Sequence, residues 1–287
     1  MPVNAMDFWD GATYSRAVPL AGSAPVQLEV VQTGPPAQPV LRVAIPGRTS
    51  SAKQAAATAV LAHILGLDVD LAPFYRLARK DKRLNALTRP FVGFRPPRLP
   101  SIFEALLNGI ACQQLSLNVG IQLLNRLCAA YGRGINGSHT FPRPQDLAEA
   151  QLDDLKRLGF SGSKSKAIVA IARSVTSGEL DLESLSHMDN ASAFERLREL
   201  HGIGRWTAQY VLLRGLGRLD IFPVDDVGAQ NKLQRWLGLG TRPSAEKVTQ
   251  ILRPWSNYQG LIYFHLLLDE LSRRGLLNPA TTPEAIT

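Results

Sequence analysis

The stretch LRELHGIGRWTAQYVLLRG, residues 197–215, constrains the possible fold more than any other part of the chain. A short amphipathic helix is predicted to end at Leu200, and Arg205 begins a second helix with apolar periodicity. Between them, Gly202 and Gly204 allow backbone conformations that other residues rarely adopt. The pattern predicts two helices joined by a tight turn. Amides at the start of the second helix form a natural phosphate site, although a turn that only packs two helices explains the same tetrapeptide.

The remainder of the chain after residue 100 is also predicted to be helical. Ser101 and Glu104 in SIFE have the spacing of a capping box, a common helix start. Further helical patterns follow, separated by connections of ordinary length that contain Gly, Pro, Asn and Ser. The predicted helices lie at about residues 144–158, 163–177, 191–200, 205–216, 226–237, 244–253 and 258–274.

The first hundred residues follow a different pattern. VQLEVVQ (26–32) and PVLRVAI (39–45) read as two short strands, and the turn-rich TGPPAQP (33–39) separates them. An alanine-rich helix is predicted over residues 51–67. The stretch RPFVGFRPPRLPS (89–101) contains four prolines, so it cannot be a regular element, and we expect a domain junction there.

Composition argues against a membrane protein and against a metal cluster. No segment approaches 18 uninterrupted apolar residues. The N-terminal sequence lacks the basic start and apolar core of a signal peptide, so a cytoplasmic location is expected. Two cysteines cannot hold a four-thiolate cluster or a structural zinc, and the five histidines show no ligand spacing. We therefore expect no cofactor and no metal held by side chains.

The chain is basic, with a net charge of +8. Residues 1–100 carry 12 Lys and Arg against 6 Asp and Glu, a net of +6, whereas residues 101–287 carry 20 against 18. A basic soluble protein suggests a polyanionic partner, most simply nucleic acid. If the C-terminal part binds DNA, it must do so with locally placed groups rather than with bulk charge.

Two adjacent carboxylates, Asp225 and Asp226, lie between apolar residues in FPVDDVG (222–228). On a helix their side chains would project about 100° apart, so both cannot point at one target. Asp225 is predicted to be the N-cap of the helix that follows. The alternative to any catalytic role is that both residues are caps.

These motifs together resemble one known family. LHGIGRWTAQYVLLRG, followed 22 residues after Gly204 by Asp226, is similar to the helix-hairpin-helix (HhH-GPD) DNA glycosylase superfamily, as is RPWSNY (253–258). Within that superfamily the chain most resembles the AlkA-like branch, 3-methyladenine DNA glycosylase II. The resemblance covers roughly residues 65–275.

The resemblance implies a mainly α fold: a two-lobed helical body with a small N-terminal α+β domain built on an antiparallel sheet. We expect the sheet-plus-helix domain at residues 1–95 and the helical HhH-GPD domain at residues 96–287. Residues 65–95 are able to contribute part of the helical body.

The resemblance also assigns roles to individual residues. The hairpin holds DNA phosphates, often with Na⁺ or K⁺ on its backbone carbonyls, and its residues here are Gly202, Ile203, Gly204, Arg205 and Thr207. The catalytic residue is Asp226, and Arg235 supports this choice because the family has a basic residue nine positions later. A fixed carboxylate can stabilise the positive charge left on deoxyribose and orient water. No strong acid is needed when the leaving base is already cationic, as alkylated purines are.

Trp206 distinguishes two kinds of enzyme within this family. Relatives that also cut the DNA strand have a Schiff-base lysine at this position, and tryptophan cannot form an imine. The resemblance therefore implies a monofunctional glycosylase. It also implies an aromatic base pocket of Trp206, Tyr210, Trp255 and Tyr258, in which each cation–π contact contributes ~0.5–2 kcal/mol. The alternative for Trp206 and Tyr210, which are four positions apart on one helix face, is that both only fill the core.

Two further sites are expected to contact DNA. CQQLS (112–116) corresponds to the family's wedge, which enters the gap left by a flipped nucleotide, so the candidates are Gln113, Gln114 and Leu115. A second phosphate contact is predicted at a helix start that contains Lys164 and Lys166. The alternative for residues 113–115 is a simple helix break with surface glutamines. The alternative for the two lysines is a solvated helix end.

The expected function is that of a monofunctional glycosylase that flips out alkylated bases and hydrolyses the N-glycosidic bond in base excision repair. Its partner would be double-stranded DNA containing such bases, with no membrane, and we expect a monomer. The alternatives are a non-catalytic helix-hairpin-helix DNA-binding protein and a glycosylase for oxidised or deaminated bases.

Overall fold

A computed structural model describes residues 4–20, 24–34, 40–47 and 49–277 of the protein. The chain divides into two compact units and crosses between them three times. Unit 1 comprises Met1–Leu61 and Pro100–Ile203, and unit 2 comprises Ala62–Leu99 and Gly204–Thr287. The two units are defined by which residues pack together. The predicted domain boundary after residue 95 stays a prediction, and it lies close to the crossing between Leu99 and Pro100. Within the described residues, no helix is both long and apolar enough to cross a membrane.

Unit 1 contains the antiparallel sheet that was predicted. Its strands pair in the order β1-β2-β3-β4, and residues 35–39 of the predicted connecting turn lie outside the described residues. Leu28 and Val30 of the sheet pack against Ala57 and Leu61 of the alanine-rich helix. The elements are β1 (Phe8–Trp9), β2 (Thr13–Val18), β3 (Val26–Thr33), β4 (Val40–Ala44) and α1 (Ser51–Ile64).

A buried ion pair fixes the sheet to the next helix of unit 1. The guanidinium of Arg16 on β2 donates to the carboxylates of Glu104 and Asp7, and Asp7 also accepts from Tyr14 Oη at 2.6 Å. The helix α4 (Ile102–Cys112) begins as predicted at Ser101, whose hydroxyl accepts from the Glu104 amide at 3.1 Å.

The remaining elements of unit 1 are helices of 4 to 16 residues, one two-stranded ribbon and a 3₁₀ turn at Glu183–His187. The predicted helix over 144–158 is two helices, because residues 148–151 interrupt it. The bounds are α5 (Leu117–Tyr131), β5 (Gly134–Ile135), β6 (Ser138–His139), α6 (Pro144–Leu147), α7 (Leu152–Arg157), α8 (Gly162–Ser177) and α9 (Asn190–Arg198).

Unit 2 is helical and has its own apolar core, which includes Phe74, Leu84, Phe222, Leu233 and Ile262. Its helices come from both chain segments, so residues 62–99 are built into the same helical unit as residues 204–277. The bounds are α2 (Ala72–Lys80), α3 (Lys82–Thr88), α10 (Arg205–Arg214), α11 (Val227–Leu237), α12 (Ala245–Leu252) and α13 (Gln259–Arg273), with 3₁₀ turns at Arg89–Phe91 and Arg253–Tyr258.

Candidate active site and nucleic-acid interface

Asp226 is the N-cap of α11. Its Oδ1 accepts a hydrogen bond from the Ala229 amide at 2.8 Å, which satisfies one of the free donors of the first helical turn. The prediction that Asp225 caps this helix is wrong, because α11 begins at Val227 and its cap is therefore the second carboxylate. The cap fixes the Asp226 side chain at the start of a rigid element.

Asp225 instead forms an ion pair with the hairpin residue Arg205. Both carboxylate oxygens of Asp225 accept, one from Nε and one from Nη2 of the guanidinium. This pairing raises the pKa of Arg205 above its ordinary value. The two carboxylates therefore have different surroundings: Asp225 neutralises a cation, while Asp226 faces a different set of donors.

The second oxygen of Asp226 accepts from two aromatic side chains. Trp206 Nε1 lies 3.3 Å and Tyr263 Oη 3.0 Å from Oδ2. Trp206 is stacked on Tyr210, with ring centroids 5.4 Å apart and an interplanar angle of 25°. All three groups that bond the carboxylate act as donors, and together they engage both of its oxygens. Of the four predicted pocket residues, Trp206 thus contacts the predicted catalytic residue and Tyr210 stacks on Trp206.

Tyr263 is a member of this cluster that the sequence did not reveal. It lies on the buried face of α13 and packs edge-on against Phe222 at 5.4 Å. Burial, followed by the charge of Asp226, raises the pKa of Tyr263 well above its ordinary value, so the phenol keeps its proton and donates. A tyrosine in an otherwise apolar buried stretch is the signal that could have identified it.

Two glutamines hold the chain that leads into Asp226. Gln209 Oε1 accepts from the Val224 amide at 3.0 Å, and the buried Gln230 Nε2 donates to the Val224 carbonyl at 2.7 Å. This arrangement satisfies the backbone of an irregular buried segment, which would otherwise carry unpaired polar groups. The segment before α11 is therefore anchored from both α10 and α11.

Lys232, in the second turn of α11, lies close enough to the Asp226 carboxylate to interact with its charge. Lys232 Nζ donates to the Gly228 carbonyl at 3.1 Å, and burial lowers the pKa of Lys232. A methyl group added at Gly228 would lie 3.1 Å from Asp226 Oδ1 and 3.3 Å from Lys232 Nζ. Glycine at this position leaves room for both side chains.

The other two predicted pocket residues contact different rings. Trp255 packs against Trp236 at 5.6 Å, and Tyr258 packs against Phe74 at 5.6 Å. Trp236 lies near the end of α11 opposite to Asp226, which at 1.5 Å per residue is about 15 Å away. A role of Trp255 and Tyr258 in base binding stays a prediction.

The hairpin has the backbone that its glycines predict. Gly202 has φ +81, and a Cβ there would lie 2.8 Å from the Cβ of Ala167 on α8. The Ile203 amide donates to the Leu200 carbonyl at 3.1 Å, and the Ile203 side chain is buried. Gly204 is the N-cap of α10 and has no side chain to accept from the first-turn amides. Backbone amides at a helix start are the kind of donor that binds a phosphate oxygen.

The predicted wedge residues differ in their surroundings. Gln113 Nε2 donates to the Gly202 carbonyl at 2.9 Å, so this side chain supports the hairpin. Gln114 has φ +56, an uncommon conformation for a residue other than glycine, and it is exposed. Leu115 is 42% exposed, a large fraction for an apolar side chain. Gln114 and Leu115 thus remain the accessible candidates.

The two lysines of the predicted second phosphate contact also differ. Lys164 Nζ donates to the carbonyls of Ala111 and Gln113, at 3.0 and 2.9 Å, and so caps the C-terminus of α4. Burial lowers the pKa of Lys164. Lys166, two residues later on α8, is exposed. A phosphate contact by either lysine stays a prediction, and the geometry favours Lys166.

Comparisons with known proteins agree with this geometry. The family model for the HhH-GPD superfamily, described as base excision DNA repair proteins, matches residues 107–257. The chain is 36% identical over 204 residues to the DNA-3-methyladenine glycosylase of Bacillus subtilis, covering 70% of this chain and 67% of that protein.

Two solved structures are similar across much of the chain. The 3-methyladenine DNA-glycosylase from Archaeoglobus fulgidus superimposes with a TM-score of 0.80 at 28% identity, covering 96% of this chain and 92% of that one. Schizosaccharomyces pombe 3-methyladenine DNA glycosylase, in complex with abasic DNA, gives a TM-score of 0.60 at 26% identity, covering 67% and 93%. The resemblance inferred from the motifs is confirmed.

Proposed function

The chain belongs to the HhH-GPD superfamily of base excision DNA repair proteins, and on that premise we propose that it is a monofunctional glycosylase for alkylated bases. Its substrate would be double-stranded DNA that carries bases of the 3-methyladenine type, and its reaction would be hydrolysis of the N-glycosidic bond. The observation that carries the proposal is the Asp226 carboxylate, which is fixed by three hydrogen-bond donors beside a stacked aromatic pair.

Asp226 acts on the sugar in this proposal. As the bond to the base breaks, positive charge develops on the deoxyribose, and an ionised carboxylate held in place stabilises it without having to reorganise. The same carboxylate can orient or deprotonate the attacking water. The three hydrogen bonds fix the orientation of the Asp226 carboxylate, because they engage both of its oxygens.

The aromatic pair supports a cationic leaving base. Tyr210 supports Trp206 by stacking on one of its faces, and the Arg214 guanidinium lies 5.9 Å from the Tyr210 ring centroid. The other face of Trp206 favours an alkylated purine, to which a cation–π contact contributes ~0.5–2 kcal/mol. Such a base needs no strong acid to leave, which fits the single carboxylate. Trp206 stands at the position of the lyase lysine and cannot form an imine, so we propose that the enzyme does not cleave the strand.

DNA is held, in this proposal, by backbone amides at the start of α10 and by Lys166, and Leu115 enters the gap left by the flipped nucleotide. The amides have the N-terminal helix position that binds phosphates, and Leu115 is an exposed apolar side chain of the predicted wedge. We also propose that a Na⁺ or K⁺ ion binds the hairpin carbonyls. The protein is proposed to be a monomer.

A product assay tests the proposal directly. The purified chain is incubated with methylated duplex DNA and, separately, with duplex containing uracil or an oxidised guanine, and each released base is resolved by chromatography. We expect release of methylated purines, and intact strands until alkali is added. Release of only oxidised or deaminated bases, or strand cleavage without alkali, would contradict the proposal. DNA binding without any base release would favour a non-catalytic binding protein.

A further inference from the structure

A strongly basic surface on unit 2 has no part in the site described above. Between residues 76 and 89 there are six basic residues and one acidic residue, a net charge of +5. The acidic residue, Asp81, is occupied as the N-cap of α3, where it accepts from the Arg83 and Leu84 amides. We define the α2–α3 basic surface as the side chains of Arg76, Arg79, Lys80, Lys82, Arg83 and Arg89, all of which are exposed.

Folding alone does not account for this concentration of charge. Helix α2 buries Phe74 and Ala78, and its opposite side carries Arg76, Arg79 and Lys80 at the i, i+3 and i+4 positions. Like charges at this spacing destabilise a helix by a few tenths of a kcal/mol per pair. Within the described part of the chain, no side chain of the surface forms an ion pair. The cations are therefore available to an anionic partner.

Two grooves lie on either side of Arg76. One, of about 410 Å³, is bounded by Arg76 and Lys80 and by the turn that contains Trp255. The other, of about 550 Å³, is bounded by Arg76, Arg79 and Arg89. Both grooves are lined by basic side chains and at least one aromatic ring. Such grooves suit a sugar–phosphate backbone, which arginine binds through paired N–H donors.

The surface is separated from Asp226 within unit 2 by the length of one helix. Trp236 Nε1 donates to the Arg83 carbonyl at 3.4 Å, so the end of α11 lies against α3. Asp226 caps the other end of this 11-residue helix, which is about 16 Å long. A strand of B-DNA rises about 3.4 Å per phosphate, so the separation corresponds to roughly five base pairs.

We propose that the α2–α3 basic surface binds backbone phosphates of duplex DNA outside the segment engaged by Asp226 and the hairpin. This inference rests on the proposed function, because that function makes duplex DNA the enzyme's substrate. Duplex DNA presents one negative charge per ~1.7 Å of axis, which matches a row of closely spaced cations. The contact is independent of sequence, and it holds the enzyme on DNA without touching the reacting nucleotide.

The test compares two triple variants that remove the same charge. Arg76→Gln/Arg79→Gln/Lys80→Gln removes three cations from the surface, and Arg42→Gln/Lys53→Gln/Arg133→Gln removes two arginines and a lysine from unit 1 as a control. Binding to an undamaged duplex of about 30 base pairs is measured over a range of salt concentrations. Base release from an alkylated duplex of the same length, with the enzyme at saturation, is measured in parallel.

We expect the surface variant to lower the salt slope of binding by about 2–3. The control variant should keep the slope of the unmodified protein, and saturating base release should be unchanged in both variants. Equal slopes for the two variants would overturn the inference and favour an acidic protein as the partner. Failure of the proposed function is a separate result, since it shows as absent base release by the unmodified protein.

Discussion

At the scale of single residues, two adjacent carboxylates are made different by what surrounds them. Asp225 pairs with Arg205, and Asp226 accepts from an amide, an indole and a phenol. The resemblance identified Asp226 from its spacing to the hairpin. It could not reveal Tyr263, because a bond between residues 37 positions apart depends on how α13 packs and not on any local pattern.

Replacing Tyr263 by phenylalanine tests the importance of its hydroxyl. Tyr263→Phe removes the donor to Asp226 Oδ2 and keeps the ring that packs on Phe222. A hydrogen bond to a charged group contributes about 1.5–3 kcal/mol, so base release should slow by roughly 10- to 100-fold. Single-turnover kinetics measure the effect.

Tyr75→Phe is the matched control, because its hydroxyl donates to the Phe91 carbonyl at 3.2 Å and not to Asp226. It should leave base release nearly unchanged. Equal rates for Tyr263→Phe and Tyr75→Phe would show that Tyr263 does not support the carboxylate.

At the scale of elements, the sequence predicts strands with a regular apolar pattern but not a strand that contains a buried, ion-paired residue. Strands β3 and β4 follow the apolar pattern from which they were predicted, whereas β2 was missed. Arg16 lies in β2 and is buried, since Glu104 and Asp7 compensate its charge. A buried arginine breaks the apolar signal of a strand, and its partner lies 88 residues away. Helix α11 begins one residue later than predicted, so its N-cap is Asp226 and not Asp225.

The two lysines of α8 allow a prediction about element ends. Lys164→Met removes two hydrogen bonds from the C-terminus of α4 and should lower the free energy of unfolding by about 1.5–3 kcal/mol. Lys166→Met should change that free energy by less than about 0.5 kcal/mol, because the side chain is exposed. Urea unfolding measures both.

The two variants should differ in the opposite way in DNA binding, with the larger effect for Lys166→Met. The salt slope of Lys166→Met should fall by about 1, as expected for one lost phosphate contact, while that of Lys164→Met should stay close to the unmodified value. If Lys164→Met lowers the slope and leaves stability unchanged, its interpretation as a helix cap is incorrect.

At the scale of the whole molecule, the order of elements along the chain does not follow the packing. The proline-rich junction was predicted from local composition, yet residues 62–99 belong to the same unit as the C-terminal helices. Nothing in a local pattern indicates which later segment a helix will pack against. The core of unit 2 combines Phe74 and Leu84 from the first segment with Phe222 and Leu233 from the second.

A buried histidine in that core makes global stability depend on pH. His265 lies among Phe74, Tyr75, Phe91 and Phe94, and burial lowers its pKa from 6.5 to about 4. Between these values the unfolded chain binds a proton that the folded chain does not. Stability from His265 is therefore complete above pH 6.5 and is lost as the pH falls towards 4, by about 3 kcal/mol in all.

Urea unfolding at neutral pH and at pH ~4.5 measures this loss. His265→Phe should lose about 2–3 kcal/mol less than the unmodified protein over that interval, since phenylalanine fills the site and cannot bind a proton. Other titrating groups affect both proteins alike. An identical loss in the two proteins would mean that His265 is not buried in its neutral form.

The most direct test of the account is a comparison of Asp226→Asn with Asp225→Asn on methylated duplex DNA. Asparagine keeps an oxygen that can cap α11, so Asp226→Asn loses charge without losing the helix start. We predict that its base release falls at least about 100-fold while DNA affinity is retained. Asp225→Asn, which loses an ion pair worth about 1 kcal/mol or less, should stay within about fivefold of the unmodified rate. Release at the unmodified rate by Asp226→Asn would contradict the central claim that this carboxylate drives the reaction.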